Sequence, residues 1–314
     1  MHFPPALRAL ICFLALAALL GAAPLRAEYA GAYPFKAVAT TGMVGDMVRR
    51  IAGERATVTD LMSAGIDPHL YKPGRGDLIA LKGADIVFYS GLKLEGQMSE
   101  ILAGLSTSKP SIAIAEAIPS ARLLGDDHHH DPHVWMDAAL WLLAAEKAHA
   151  GLVTFDPKGK TIYDANMEIL KKDMAALDTR AREAIASIPK EARVLVTAHD
   201  AFSYFGRAYG IEVMGIQGIS TESEAGLQDI NRMVELLVTR ESPAVFVESS
   251  VSEKNVRALV EGAAARGHKV AIGGSLFSDA MGKAGTPQGT YIGMIDHNVE
   301  TIVKALKGKE GNGE

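Results

Sequence analysis

Short apolar runs alternate along this chain with stretches whose apolar residues recur at every third or fourth position. Residues 35–41 are β-prone and apolar apart from Lys36. Residues 43–52 then place Val44, Met47, Val48 and Ile51 on one side of a helix. The rhythm continues with a strand at 56–62, a helix near 76–82, a strand at 85–89, a helix near 97–105 and a strand at 111–115. A second series runs strand 193–197, helix 202–209, strand 211–216, helix 227–240, strand 244–248, helix 253–266, strand 269–272 and helix 291–306. Brief strands alternating with helices predict an α/β fold whose mostly parallel sheets are covered by helices on both faces.

Between the two series Tyr163, Met167, Leu170, Met174, Leu177, Ala181, Ile185 and Ile188 fall on one helical stripe. Asp156-Pro157 offers an N-cap and a first-turn proline, and Pro189 offers a stop. Roughly 30 residues at 1.5 Å per residue make about 45 Å, long enough to cross two lobes. The expected division is an N-terminal lobe at 28–155, one long rigid helix at 156–189 and a C-terminal lobe at 190–314. A glycine-rich hinge would let the lobes swing widely, whereas a continuous helix predicts small movements.

Composition narrows the class. The chain has 314 residues, 48% hydrophobic and 22% charged, with a net charge of −5. That balance is globular, and the absence of a basic stripe argues against a nucleic-acid partner. His2 and Arg8 precede an apolar run at 9–23, and Leu25-Arg26-Ala27 follows. This is the pattern of a secretory signal peptide at 1–27, cut near Ala27. Its apolar run is shorter than the roughly 20 residues a membrane-spanning helix needs. Cys12, the one cysteine of the sequence, lies within that run behind Ile11, where a lipid-attachment signal wants a small residue. The mature chain then has no disulfide, thiolate ligand or cysteine nucleophile. An exported, acidic protein of the periplasm is expected, acting as a monomer.

Histidine placement is the chemical signal. Asp67-Pro68-His69 and Asp131-Pro132-His133 repeat one tripeptide, in which proline stiffens the turn that presents the imidazole. His199 stands just beyond the apolar strand at 193–197. Ligands of open parallel sheets bind beyond the carboxyl ends of the strands, so these three histidines are expected to meet between the lobes. Asp279 follows the last strand across Gly273-Gly274 and is a fourth candidate, with a helix N-cap as its alternative role. Three imidazoles and a carboxylate suit Zn²⁺, Mn²⁺ or Fe²⁺. Taken singly, a histidine near a strand end is more often structural, and the repeated tripeptide is what raises the metal reading. His128, His129 and His130 lie in the polar stretch 126–131 and read as a solvated loop. No role is assigned to His149, His268 or His297, and Trp135 and Trp141 read as core. Glu248 ends a strand and either lines the cleft or starts a helix. Asp67, Asp131 and Asp200 are sequence neighbours able to steer the rings.

Five segments carry a resemblance: G-I-D-P-H-L-Y (65–71), D-P-H-V-W-M-D (131–137), V-L-V-T-A-H-D-A-F-S-Y-F (194–205), F-V-E-S-S (246–250) and L-F-S-D-A-M-G (276–282). Together they resemble the TroA-like zinc/manganese solute-binding receptors of bacterial ABC importers, over essentially the whole mature chain. The resemblance implies that His69, His133, His199 and Asp279 hold one metal ion as cargo. It also implies two lobes on a rigid helix, and delivery to a membrane permease with a cytoplasmic ATPase. Zinc-dedicated members often carry a longer histidine- and acid-rich loop than 126–131, and manganese-dedicated members usually have glutamate where His199 stands. The sequence sits between these subgroups, and three imidazoles favour Zn²⁺ over Mn²⁺ on affinity. The alternatives are a zinc-dependent hydrolase, against which stand a fourth protein ligand and the lack of H-E-x-x-H or G-x-S-x-G, and an adhesin with a structural metal.

Overall fold

The computed structural model describes residues 28–126 and 129–307. The leader expected at 1–27, with Cys12 and the cut near Ala27, lies outside the described residues, and so does His128. The first lobe is built on β1 (Phe35–Ala39), β2 (Ala56–Asp60), β3 (Ile86–Tyr89) and β4 (Ser111–Ala113), all parallel in the order β2-β1-β3-β4. Helices α1 (Gly42–Ala52), α2 (Arg75–Gly83) and α3 (Ser99–Leu105) follow the first three strands in turn. β1 is central, which explains its near-continuous apolar run. Ala37 and Ala39 face the main core, while Val38 packs on the other face with Met62, Leu81 and Val87.

Two further helices fill the middle of the molecule. α4 (Ala138–Phe155) was not in the sequence expectation. Its sequence AALWLLAAEKAHAGLVTF is apolar on most sides, so no stripe marks it, and such a helix belongs inside. Asp137 caps it, its carboxylate accepting from the backbone of Ala139 and Leu140. α5 (Lys160–Ala186) is the predicted long helix, at 27 residues or about 40 Å. It buries Tyr163, Met167, Leu170, Met174, Leu177, Ala181 and Ile185, the stripe read from the sequence. Asp156 does not cap it. A 3₁₀ turn, Pro157–Gly159, intervenes, and the Asp156 carboxylate instead accepts from Arg55, Tyr33 and Tyr163.

The second lobe pairs β5 (Val194–His199) with β6 (Glu212–Gln217), and β7 (Ala244–Glu248) with β8 (Ala271–Leu276), both in parallel. β5 lies beside β7. Helices α6 (Ser203–Tyr209), α7 (Leu227–Thr239), α8 (Lys254–Ala265) and α9 (Tyr291–Leu306) cover these strands. β8 runs later than the apolar pattern at 269–272 suggests and includes both glycines. A Cβ on Gly273 would come within 2.8 Å of both Ala305 and Phe246, so close packing of α9 and β7 demands glycine there. One apolar core runs from Phe35 in the first lobe through Trp135, Trp141 and Leu177 to Phe205 and Tyr291 in the second. Among the described residues, no helix is long and apolar enough to cross a membrane.

Candidate metal centre

Each candidate residue emerges at the carboxyl end of a strand. His69 lies in the loop after β2, and His133 follows β4 by a longer connection. His199 is the last residue of β5, one step inside the strand rather than beyond it. Asp279 lies in a bend after β8; the next helix, α9, is capped by Thr290, so Asp279 is no N-cap. The two D-P-H turns work alike: the Asp67 and Asp131 carboxylates accept from the backbone N–H of His69 and His133, at 2.8 and 2.9 Å. Each aspartate therefore fixes the backbone of the histidine two residues on.

The fold brings all four together. One donor atom from each of His69, His133, His199 and Asp279 lies within 4.8 Å of the others. All four residues are buried, at 4% exposure or less. His69 Nε2 is 3.2 Å from His133 Nε2. His133 Nε2 is 3.3 Å from Asp279 Oδ1, and His199 Nε2 is 3.2 Å from Asp279 Oδ2. Four donors set tetrahedrally about 2.1 Å from a zinc ion stand about 3.4 Å apart, and these three contacts are compatible with that spacing. The contacts with Asp279 are also within ion-pair reach, but without hydrogen-bond geometry. Neither Asp279 oxygen accepts a hydrogen bond, nor does His199 Nε2 make one, although all are buried. A buried carboxylate normally has such partners, and a cation among the donors satisfies every one of these atoms.

Carboxylates behind the rings set their tautomers. His133 Nδ1 lies 2.7 Å from Asp131 Oδ1, and His199 Nδ1 lies 2.6 Å from Glu248 Oε2. With Nδ1–H donating to the carboxylate, the Nε2 lone pair is left for a metal. Glu248 also accepts the backbone N–H of His199 at 2.9 Å. Of the two roles open to it in the sequence, it takes the cleft. Asp200 does not steer His199; its carboxylate accepts from Ser203 at 2.6 Å. Trp135 is core, as expected, but it also donates to the Ser278 carbonyl at 2.9 Å, which fixes the bend holding Asp279.

The electrostatics follow. Burial alone pulls His133 down, but Asp131 and Asp279 more than offset it and leave the ring at about 9. Burial likewise pulls on His199, and Asp279 with Glu248 carries it well above the usual histidine range. His69 is pushed down by burial to about 4. Burial raises Asp279, yet His199 and His133 hold it well below the usual carboxylate range. Among the described residues, the other histidines are not part of the cluster. His149 meets Asp164, while His268 and His297 meet the carbonyls of Ser242 and Ser275. His129 is exposed, and a Gly125–His130 bridge closes the base of its loop.

Known proteins share this architecture. The manganese-binding lipoprotein MntA of Bacillus subtilis is 49% identical over 271 residues, covering 86% of this chain and 89% of that protein. The zinc-binding protein TroA of Treponema pallidum is 45% identical over 270 residues, with 86% and 88% covered. The solved structure of TroA superimposes with a TM-score of 0.85, covering 88% of this chain and 99% of that one. The family model described as zinc-uptake complex component A, periplasmic, matches residues 37–305. With its fold, its buried His₃Asp cluster and this match over most of its length, the chain belongs to the ZnuA family.

Proposed function

We propose that this protein is a periplasmic receptor that captures one divalent transition-metal ion between its lobes and passes it to the permease of an ABC importer. His69, His133, His199 and Asp279 are the ligands. Zn²⁺ is the cargo held most tightly, because three imidazoles follow the general order that places zinc well above manganese; Mn²⁺ is the alternative cargo. The observation that carries this reading is the buried set of four donors at spacings compatible with a coordination shell, among them carboxylate oxygens that accept no hydrogen bond.

A relative that binds manganese and another that binds zinc support the class of cargo without choosing between the two. The reading is of a carrier rather than a hydrolase. Catalytic zinc keeps a coordination position open for water or substrate, whereas here four protein donors surround the position and all are buried. In the proposed organisation the leader at 1–27 is removed on export, the linking helix at 156–189 separates lobes at 28–155 and 190–314, and the mature protein acts as a monomer.

Calorimetry with Zn²⁺ and Mn²⁺ on the parent and on His199→Ala tests the assignment. The parent should bind one ion, zinc more tightly than manganese. The variant should lose more affinity than the roughly 10–100-fold that removal of an outer partner costs. Unchanged binding by His199→Ala would remove this residue from the ligand set.

A further inference from the structure

Segment 218–226 joins β6 to α7 and is moored to both lobes. On the second lobe, Gln217 ends β6 opposite His199 and donates from Nε2 to the Ser223 carbonyl at 3.1 Å. The Asp200 N–H reaches the Gly218 carbonyl at 3.4 Å. On the first lobe the mooring is a side chain: Thr221 Oγ1 donates to Asp67 Oδ2 at 2.5 Å. Thr221 is buried, while Ser220, Glu222, Ser223 and Glu224 around it are exposed. An otherwise solvated segment thus turns one hydroxyl inward, onto a carboxylate of the opposite lobe.

That carboxylate is the one behind His69. Its second oxygen accepts the His69 N–H at 2.8 Å. The other two imidazoles are steered from within their own lobes, His133 by Asp131 and His199 by Glu248. Among the described residues, His69 is the histidine of the cluster whose supporting carboxylate is itself clasped from across the cleft. Gly65, in the same loop as Asp67, shows how near the lobes come. A Cβ there would stand 3.4 Å from the Ser249 carbonyl.

We infer that Thr221 is a latch: its hydrogen bond to Asp67 closes when the lobes meet over the ion, and it governs how fast the ion leaves rather than how fast it arrives. The inference rests on the receptor reading above. The continuous helix and the shared core allow the lobes only a small parting, enough to open one hydrogen bond; in the proposed cycle the ion arrives in that parted state, before the bond is made. It leaves when they part, which breaks the bond. A hydroxyl on a carboxylate is among the stronger hydrogen bonds, so its loss should show clearly in the release rate.

The test measures Zn²⁺ association, and Zn²⁺ release into excess chelator, by stopped flow on the parent, Thr221→Val, Thr221→Ala and Thr221→Ser. Valine and alanine should each release zinc about tenfold faster while association changes less than about twofold. Serine, which keeps the hydroxyl, should release at the parent rate. Release from valine and alanine at the parent rate overturns the latch. So does fast release from serine, or association slowed as much as release is quickened, because either outcome assigns Thr221 to packing. Failure of the parent to bind either zinc or manganese would sink the receptor reading and the latch together. Tight binding by the parent with equal release rates sinks the latch alone.

Discussion

His133 and His199 each sit in a contest between burial, which opposes their charge, and carboxylates, which favour it. The carboxylates win, so both rings hold protons more tightly in the metal-free folded chain than in the unfolded one. The sign of the pH dependence follows. His133 titrates near 6.5 when unfolded and at about 9 when folded, so its stabilisation is complete below pH 6.5 and is lost as pH climbs toward 9. His199 acts in the same direction. His69, lowered to about 4, has the opposite sign: it penalises the fold increasingly as pH falls below 6.5. Above about pH 7.5 it is neutral in both states. A metal ligand must shed its proton. Between about pH 7.5 and 9, the metal-free protein should therefore lose stability while zinc affinity rises. Melting curves in chelator and zinc titrations at the two pH values check this; a metal-free protein more stable at the higher pH would contradict the assignment of these two rings. The four clustered residues were singled out in the sequence by two stiff D-P-H turns and two strand ends, and the family resemblance joined them into one proposed ligand set. The partner of His199 was not. Asp200 is adjacent in the chain, yet Glu248 lies behind the ring because β5 and β7 are neighbours in space.

Short buried strands were readable as apolar runs and α5 as a stripe, whereas a helix apolar on most sides was not. The stripe on α5 repeats every three or four residues because one side of that helix faces the core along its length. α4 buries Trp141, Ala144, Ala145, Ala148 and Leu152 on one side, but apolar residues such as Leu142, Leu143 and Val153 also stand on its half-buried faces, so no apolar stripe stands out in the sequence. β8 was misplaced because its glycines answer to the packing of Phe246, Ala305 and Thr301 rather than to β propensity. The long helix should be a source of stability more than of affinity. Leu177 is completely buried on it. Leu177→Ala should cost about 2–5 kcal/mol, read as a lower denaturant midpoint, while zinc affinity in the folded protein stays near that of the parent. A large loss of affinity in the folded variant would mean that the helix transmits strain to the site.

At the scale of the molecule, two lobes share one apolar core and meet again at the polar cluster. Trp135 to Ser278, Asp46 to Tyr291 and Thr221 to Asp67 are hydrogen bonds made between lobes. On the proposed assignment, an ion held by His69 and His133 from one lobe and by His199 and Asp279 from the other would add a further tie. Only the folded chain assembles this set, so zinc at a free concentration of about a hundred times its dissociation constant should add about 2.7 kcal/mol to stability. The thermal midpoint should rise with zinc and fall back with chelator, and in Asp279→Ala the rise should be largely lost. The alternation of strand and helix, the stripe of the long helix and the residue types able to hold a metal can be read along the chain. These depend on neighbours within a few positions, where backbone geometry links pattern to structure. Which carboxylate stands behind which ring, that Thr221 reaches Asp67 from 154 positions away in the chain, and that Asp279 oxygens without a hydrogen bond sit among three imidazoles emerge with the folded chain alone. Those are contacts between strand ends and loops, and the order in which strands lie side by side is settled by burial of the whole core, not by the residues that touch.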